Sequence, residues 1–201
     1  KGMVIIGLPG AGKTYALSQS AKRHAHDLHN LCLEENPDWS RAVVPVLADL
    51  KLYEGNLWSL IERTLPLDLP LQELTDSFTA RIYLDSFNEM PRKFLEDGSY
   101  EADFRRFLQR VGSAFVAIGS RTTDGLTAFD LPVFSLDEID LAYVKDALSQ
   151  TGVHLAGRFA AELERLFQKP FYFQLLASGQ IQLPKEPRPR DLYDAYFSQL
   201  S

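Results

Sequence analysis

The sequence predicts an α/β core domain followed by a small helical domain. Strand-like and helix-like segments alternate up to residue 135, and a glycine-rich loop joins the first strand to the first helix. After Ser135 the strand-like segments stop and only helical patterns follow. Such a change of pattern separates an α/β layer structure from a helical bundle. We therefore predict two domains, over residues 1–135 and 136–201.

Five short apolar runs in the first part are predicted to be strands. Pro45 indicates that the second strand lies at an edge of the sheet, because proline cannot donate a hydrogen bond to a strand ladder. The predicted strands are 3–6, 42–47, 81–85, 114–118 and 132–134.

The predicted helices follow from apolar side chains that recur at helical spacing. In the core domain they are 13–28, 55–65 and 101–111. In the second domain they are 137–148, 155–166, 171–177 and a last stripe at Leu192, Ala195, Tyr196 and Leu200. Ser135 or Asp137 is predicted to cap the first of these, and Pro170 to stand where the third begins, since proline tolerates the first helical turn. The prolines in 184–190 predict a loop.

Composition and charge narrow the classes of function. The 201 residues are 45% apolar and 24% charged, as in an ordinary soluble globular protein, and the net charge is −6. Nucleic acid backbones and anionic lipids repel an acidic chain, so neither is expected as a partner. Cys32 is the only cysteine, which excludes a disulfide framework, and no apolar run reaches the roughly 18 residues of a membrane helix. We expect a cytoplasmic protein, and a piece of a larger one because a buried strand begins at Met3.

The segment Gly7–Thr14, GLPGAGKT, matches the phosphate-binding pattern G-x-x-x-x-G-K-[ST] at every fixed position. Glycines let successive backbone amides point at phosphate oxygens, and the helix that begins at the end of the loop faces the anion with its positive end. Lys13 is expected to reach the β- and γ-phosphates, and Thr14 to place its hydroxyl on Mg²⁺. The alternative is a plain glycine turn between strand and helix. The predicted nucleotide-binding residues here are Gly7, Pro9, Gly10, Ala11, Gly12, Lys13, Thr14 and Tyr15.

Charged residues follow two of the later strands. Asp85 ends an apolar strand and is expected to hold Mg²⁺ together with Thr14. Glu89, four residues further on, is expected to orient or deprotonate the attacking water. The alternatives are a strand-end turn residue for Asp85 and a solvated loop charge for Glu89. Arg121 follows the next strand and can present a cation to the γ-phosphate, although its position alone suits a surface arginine better.

Taken together, these motifs resemble those of NACHT-type STAND ATPases, and their order and spacing cover nearly the whole chain. The matching segments are Gly7–Thr14, Val44–Val46, Asp85–Glu89, Gly119–Arg121 and Lys169–Phe171. The resemblance implies a P-loop NTPase with three αβα layers and a five-stranded parallel sheet of order 5-1-4-3-2, followed by a small helical domain that ends here before a winged-helix domain. It also implies that Arg121 senses the γ-phosphate, beside Asp85 and Glu89 as catalytic residues, and that Pro170 packs near the adenine.

The activity implied by the resemblance is that of a switch. ATP or ADP and Mg²⁺ are the expected cofactors, and exchange of ADP for ATP would permit self-association through the full-length protein. The family includes bacterial anti-phage proteins and animal innate immune receptors, so a role in defence signalling is expected. No nucleic acid contact and no membrane contact are expected for this chain.

Some residues depart from the family pattern and keep alternatives open. Ser86 replaces the usual glycine, and Asn88 stands where many members carry aspartate, which leaves Glu89 as the acid for water activation and predicts slow hydrolysis. Gly119 and Lys169 are further departures. The alternatives are a P-loop kinase for a small molecule and a nucleotide-binding interaction module without turnover. A GTPase is disfavoured, because no Asn-Lys-x-Asp-like base reader is present.

Two other clusters have simpler interpretations. His26 and His29 are spaced to share one metal ion on a helix, but a solvated helix end is favoured over a metal site. The aromatic residues 171–173 are expected to pack in a core, with adenine stacking by one of them as the alternative.

Overall fold

The computed structural model describes residues 1–65, 69–155, 157–179 and 181–198, with only the backbone at residue 196. The chain divides into two compact units. Unit 1 comprises Lys1–Gly7 and Lys13–Ser135, and unit 2 comprises Leu8–Gly12 and Leu136–Ser201. Each unit has its own apolar core. The loop segment Leu8–Gly12 therefore groups with the C-terminal helices, although the chain on both sides of it belongs to unit 1.

Unit 1 is built on a five-stranded sheet in which every neighbouring pair is parallel. The strands are β1 (Gly2–Ile6), β2 (Val43–Asp49), β3 (Thr79–Asp85), β4 (Phe115–Ser120) and β5 (Val133–Ser135). They are arranged in the order β2-β3-β4-β1-β5, which is the predicted 5-1-4-3-2 read from the other edge. The predicted fold class is confirmed, and β2, which contains Pro45, is an edge strand as predicted.

Successive side chains of a strand point to opposite faces of a sheet, so the apolar strands place side chains on both faces. Helices cover both of these faces. The helices of unit 1 are α1 (Lys13–Cys32), α2 (Leu57–Glu62), α3 (Leu71–Ser77), α4 (Arg92–Glu96) and α5 (Ser99–Arg110). On one face Ile82 and Ile118 belong to the core that includes α2, α3 and α5, with Phe104 fully buried. On the other face α1 packs on β2, β3 and β4, and the Tyr83 hydroxyl lies 2.9 Å from His24 Nδ1.

Some helix predictions for unit 1 need correction. The first helix continues to Cys32, four residues beyond the predicted end at Leu28. The helices α3 and α4 were not expected, since they have only seven and five residues and such short segments show no clear periodicity.

Unit 2 consists of helices packed around a second apolar core. Its helices are α6 (Leu141–Gln150), α7 (Ala160–Phe167), α8 (Pro170–Ala177) and α9 (Pro189–Phe197). Val144, Leu163 and Phe167 are fully buried in the core between them. The prediction that Pro170 starts a helix is confirmed, because it occupies the first turn of α8.

Two boundaries of unit 2 differ from the predictions. Neither Ser135 nor Asp137 caps α6; the cap is Asp140, whose Oδ1 accepts hydrogen bonds from the backbone N–H groups of Ala142 at 2.8 Å and Tyr143 at 3.2 Å. The last helix begins at Pro189, inside the predicted loop 184–190. Leu200 of the predicted final stripe lies outside the described residues. Within the described ranges, no helix combines the length and the apolar character needed to cross a membrane.

Candidate functional site

The loop between β1 and α1 has the backbone conformation that its glycines predict. Gly10 and Gly12 have φ values of +82° and +86°, in the left-handed region that favours glycine. A Cβ at Gly10 would meet no heavy atom within 4 Å, so conformation and not crowding requires glycine there. The Ala11 N–H donates to the Leu8 carbonyl oxygen at 3.0 Å, which closes a turn. A 20-residue helix begins directly after the loop, and the amides of a helix's first turn favour an anion.

Lys13, the first residue of α1, lies among the other charged residues that the motifs predicted. Its Nζ donates a hydrogen bond of 2.6 Å to the Gly7 carbonyl oxygen at the end of β1. Burial lowers the pKa of Lys13, and the nearby Arg121 cation lowers it further, while the carboxylates of Asp85 and Glu89 act in the opposite direction. These effects on its pKa indicate that Asp85, Glu89 and Arg121 all lie near Lys13 in unit 1.

Thr14 and Tyr15 lie next to Lys13 in the first turn of α1, and both side chains are exposed. The Thr14 hydroxyl is therefore open to a ligand. Tyr15 is 45% exposed.

Asp85 is the last residue of β3, and its side chain is 9% exposed. Space for this carboxylate comes from Gly119 on the neighbouring strand β4. A Cβ at Gly119 would lie 2.9 Å from Asp85 Oδ1 and 2.9 Å from Leu17 Cδ1. Glycine at 119, one of the departures from the family pattern, thus leaves a cradle that the Asp85 carboxylate occupies.

Glu89 lies in the 3₁₀ turn Phe87–Glu89 that follows β3, and both of its carboxylate oxygens are in ion pairs. Oε2 is 3.0 Å from Lys51 Nζ, and Oε1 is 2.9 Å from Arg121 Nη2. The hydrogen bond from Lys51, together with the contact from Arg121, lowers the pKa of Glu89 below its ordinary 4.5. Glu89 is therefore ionised at neutral pH, but it is a weak base.

Asn88 joins the turn after β3 to the end of β4. Its Oδ1 accepts a hydrogen bond of 3.0 Å from the Arg121 backbone N–H. The turn begins at Ser86, which has a φ of +63° even though it carries a side chain. This left-handed residue redirects the chain directly after Asp85, so that Asn88 and Glu89 both meet Arg121.

Lys51 was not predicted from the sequence. It lies in the 3₁₀ turn Leu50–Leu52 directly after the edge strand β2, and its backbone N–H donates to Asp49 Oδ1 at 3.0 Å. Asp49 is in register with Asp85 on the adjacent strand. A charged residue just after the end of a predicted parallel strand was the available signal, because the carboxyl ends of such strands meet at one edge of the sheet.

The donor groups of unit 1 fit Mg²⁺ and phosphate. The Asp85 carboxylate and the Thr14 hydroxyl supply the hard oxygen ligands that Mg²⁺ prefers. Lys13 and Arg121 supply cations that form charge-assisted hydrogen bonds with phosphate oxygens. Because Gly119 has no side chain, the Asp85 carboxylate has room at the end of β3.

Unit 2 contains a cavity of about 330 Å³ that includes three of the predicted nucleotide-binding residues. A Cβ at Gly12 would lie 3.0 Å from the Pro170 Cβ, so Pro170 packs directly against the loop. The residues that line the cavity are Leu8, Pro9, Ala11, Leu136, Asp137, Glu138, Lys169 and Pro170.

His26 and His29, the two histidines spaced to share a metal ion, are both exposed on α1. The His26 Nε2 is 3.1 Å from the Asn30 Nδ2, four residues along the exposed helix face. Among the residues that the structure describes, no group of three or more His, Cys, Asp or Glu side chains is placed to hold a metal ion.

Comparisons with known proteins indicate only distant likeness. No protein-family model matches the chain, and no curated protein matches it. The Aeropyrum pernix ORC2 protein, solved in ADPNP-ADP complexes, is 16% identical with a TM-score of 0.47, over 75% of this chain and 45% of that one. Drosophila ORC bound to DNA is 13% identical with a TM-score of 0.44, over 100% of this chain and 55% of that one. C. elegans PCH-2 is 11% identical with a TM-score of 0.41, over 99% and 60%.

This chain thus spans 45% to 60% of the length of these structures. Likenesses this distant say nothing about activity. The fold class follows from the chain's own topology. The sheet is entirely parallel with the order 5-1-4-3-2, and a glycine-rich loop joins its central strand β1 to α1. The chain therefore has the α/β P-loop NTPase fold.

Proposed function

We propose that this chain binds ATP with Mg²⁺ and hydrolyses it slowly, as the switch module of a STAND protein. The observation that carries the proposal is the neighbourhood of Lys13, Asp85, Glu89 and Arg121 in unit 1. These residues come from the ends of different strands and from the start of α1. A phosphoryl-transfer site needs cations for the phosphate charge, oxygen ligands for Mg²⁺ and a carboxylate for the water.

Each residue has a defined role in this proposal. The loop amides and Lys13 bind the phosphates, and for this Lys13 exchanges its bond to the Gly7 carbonyl oxygen for phosphate oxygens. Thr14 and Asp85 hold Mg²⁺, which when bound neutralises charge that develops on the phosphates. Arg121 contacts the γ-phosphate, and Glu89 accepts a proton from the attacking water.

Slow turnover follows from the surroundings of Glu89. General-base catalysis is most efficient when the pKa of the base is near the working pH. Two ion pairs lower the pKa of Glu89 instead, and they also occupy both of its oxygens. A slow hydrolysis step suits a switch, because the ATP state then lasts long enough to be read by other molecules.

The cavity of unit 2 is the place where we propose that the base binds. The loop residues that line it immediately precede the phosphate-binding Lys13 in the chain, and Pro170 provides an apolar wall. Asp137 and Glu138 add carboxylates. A carboxylate accepts a hydrogen bond from the 6-amino group of adenine, whereas it repels the 6-oxo group of guanine in the same orientation. ATP is therefore preferred over GTP.

The finer assignment rests on the motif resemblance. A NACHT-type switch module would exchange ADP for ATP, self-associate through the full-length protein and signal in the cytoplasm, in antiviral or innate immune defence. Analytical ultracentrifugation of the full-length protein tests this point: ATP should shift the protein to a larger assembly, and identical sedimentation with ADP and ATP would contradict the switch.

A thermal shift experiment tests nucleotide binding by this chain. At 100 times the dissociation constant, Mg·ATP stabilises a protein by about 2.7 kcal/mol, which raises the Tm of a chain of this size by about 5–11 °C. The Lys13→Ala variant should lose this shift, and GTP should give the wild type a smaller one. A Lys13→Ala variant with the full ATP shift would contradict the loop assignment, and equal ATP and GTP shifts would contradict the base preference.

The second candidate function is a nucleotide-binding interaction module without turnover. The two ion pairs of Glu89 favour it, since a cation on each carboxylate oxygen leaves fewer acceptor positions for water. Phosphate release from Mg·ATP distinguishes the two functions: catalytic turnover that depends on Glu89 supports the switch ATPase, and binding without release supports the module.

A further inference from the structure

Glu89 forms ion pairs with two cations, one lysine and one arginine. Glu89 bridges Lys51 through Oε2 and Arg121 through Oε1, at 3.0 Å and 2.9 Å. Both cationic side chains are 49% exposed. The Lys51 backbone is fixed by the Asp49 cap, and the Arg121 backbone by Asn88. The carboxylate therefore lies between two side chains that are anchored at their backbones and can move at their tips.

Only one of these cations is near the phosphate-binding lysine. The Lys13 Nζ is hydrogen-bonded to the carbonyl oxygen of Gly7, which follows β1, and Arg121 directly follows the adjacent strand β4. Lys51 follows β2, which β3 and β4 separate from β1. Lys13 and Arg121 are therefore two cations that lie after neighbouring strands, and a γ-phosphate is an anion that both would attract. When the phosphate binds, Arg121 has a competing partner of higher charge than Glu89, and Lys51 has none.

We propose that Lys51 is the positioning residue for Glu89: when the γ-phosphate takes Arg121, Lys51 keeps the Glu89 carboxylate in place with its Oε1 open to the attacking water. This inference rests on the proposed ATPase function. In the step that follows, the water oxygen forms a bond to the γ-phosphorus, the bond from that phosphorus to the leaving ADP oxygen breaks, and Glu89 Oε1 takes the water proton. In the absence of a γ-phosphate, both oxygens stay paired with cations, and Arg121 competes with water for Oε1.

A positioning role predicts effects that a purely structural ion pair does not. Exposed ion pairs contribute little to stability, so Lys51→Met should fold normally. Its kcat for Mg·ATP should fall by about 10-fold or more, since general-base catalysis contributes about 10²–10⁴-fold and here loses its orientation. KM and the ATP dissociation constant should stay within about 2-fold of wild type, because the ion pair that this change removes is with Glu89, which has no role in holding the phosphates here.

Three further variants make the experiment specific. Lys51→Arg should restore most of the rate, because it replaces the cation. Arg63→Met breaks another exposed ion pair, of 2.8 Å with Glu54, and should behave like wild type. In Lys51→Met/Glu89→Gln the loss should equal that of Glu89→Gln alone, because both changes act through one carboxylate.

The outcomes separate this inference from the proposed function. A wild-type chain that does not bind Mg·ATP overturns the proposed function. A wild-type chain that binds Mg·ATP without turnover overturns both the proposed ATPase activity and the role of Lys51. Normal binding and turnover with an unchanged kcat in Lys51→Met overturns only the role of Lys51. The role of Lys51 would also be overturned if the kcat losses of Lys51→Met and Glu89→Gln multiplied in the double variant. The same holds if Arg63→Met lost as much kcat as Lys51→Met.

Discussion

The substitution Gly119→Ala tests whether the Asp85 carboxylate holds Mg²⁺. The added Cβ would lie 2.9 Å from Asp85 Oδ1, whereas ordinary contacts of this kind begin at 3.4 Å. Asp85 Oδ1, and likewise the methyl group of Leu17, must therefore move by 3.4 − 2.9 = 0.5 Å or more. A shift of about 0.5 Å is the limit within which a metal or catalytic group keeps its productive geometry.

Two effects of different size follow from this displacement. Overpacking should cost about 1–3 kcal/mol of stability, which lowers the Tm by about 2–12 °C. The affinity for ATP in the presence of Mg²⁺ should fall by about 10-fold or more, as it does when the surroundings of a metal ligand are disturbed. The affinity in EDTA should be unchanged, because the loop amides and Lys13 are proposed to bind the phosphates without Mg²⁺.

Titration calorimetry well below the Tm measures both affinities. The matched control is Gly2→Ala, which overpacks the same sheet by placing a Cβ against the Val116 carbonyl oxygen. It should lose stability but keep the full enhancement of ATP binding by Mg²⁺. If Gly119→Ala keeps that enhancement too, Asp85 is not the Mg²⁺ residue that we propose.

The remaining predictions concern the base and one helix cap. Glu89→Gln should slow turnover by about 100-fold or more with ATP affinity within about 2-fold, and unchanged turnover would exclude Glu89 as the base. Since the pKa of Glu89 lies below 4.5, this group stays ionised above that pH, so its protonation should not slow hydrolysis between about pH 8 and pH 5; a loss of rate through Glu89 with a midpoint near 6–7 would contradict the ion-pair geometry. Asp140→Ala should destabilise unit 2 by about 1 kcal/mol in urea unfolding, because two backbone N–H groups of α6 lose their acceptor, whereas Asp137→Ala should have no such effect.

The sheet of unit 1 was predictable because its signals are local. Each strand is a short apolar run, and Pro45 marks the edge position through its missing N–H. The helices α3 and α4 were missed because they are too short for periodicity, and their position is set by packing against distant parts of the chain. The cap of α6 was misplaced because several acidic residues precede that helix, and the backbone conformation at Asp140 decides which of them caps it.

The candidate site was predictable where a motif contains all of its residues. Lys13 and Thr14 follow from the loop pattern, and Asp85 from its position after a parallel strand, since the carboxyl ends of such strands meet at one edge of a sheet. The position of Arg121 alone suits a surface arginine better, and only the motif resemblance made it a candidate. Lys51 also lies just after a parallel strand, but it was missed. It pairs with Glu89 across 38 positions of the sequence, and only the register of β2 against β3 brings the two turns together.

Pro45 has a consequence for how copies of this chain behave when they are crowded. The outer edge of β2 presents backbone groups to which a strand from another molecule can add. Leu47, which is 42% exposed, adds an apolar side chain that favours such a contact. A proline in the middle of the strand removes one donor from this edge and interrupts the template. If copies assemble in response to ATP, as proposed, their local concentration rises. The pyrrolidine ring of Pro45 then disfavours amyloid-like addition of strands at this edge.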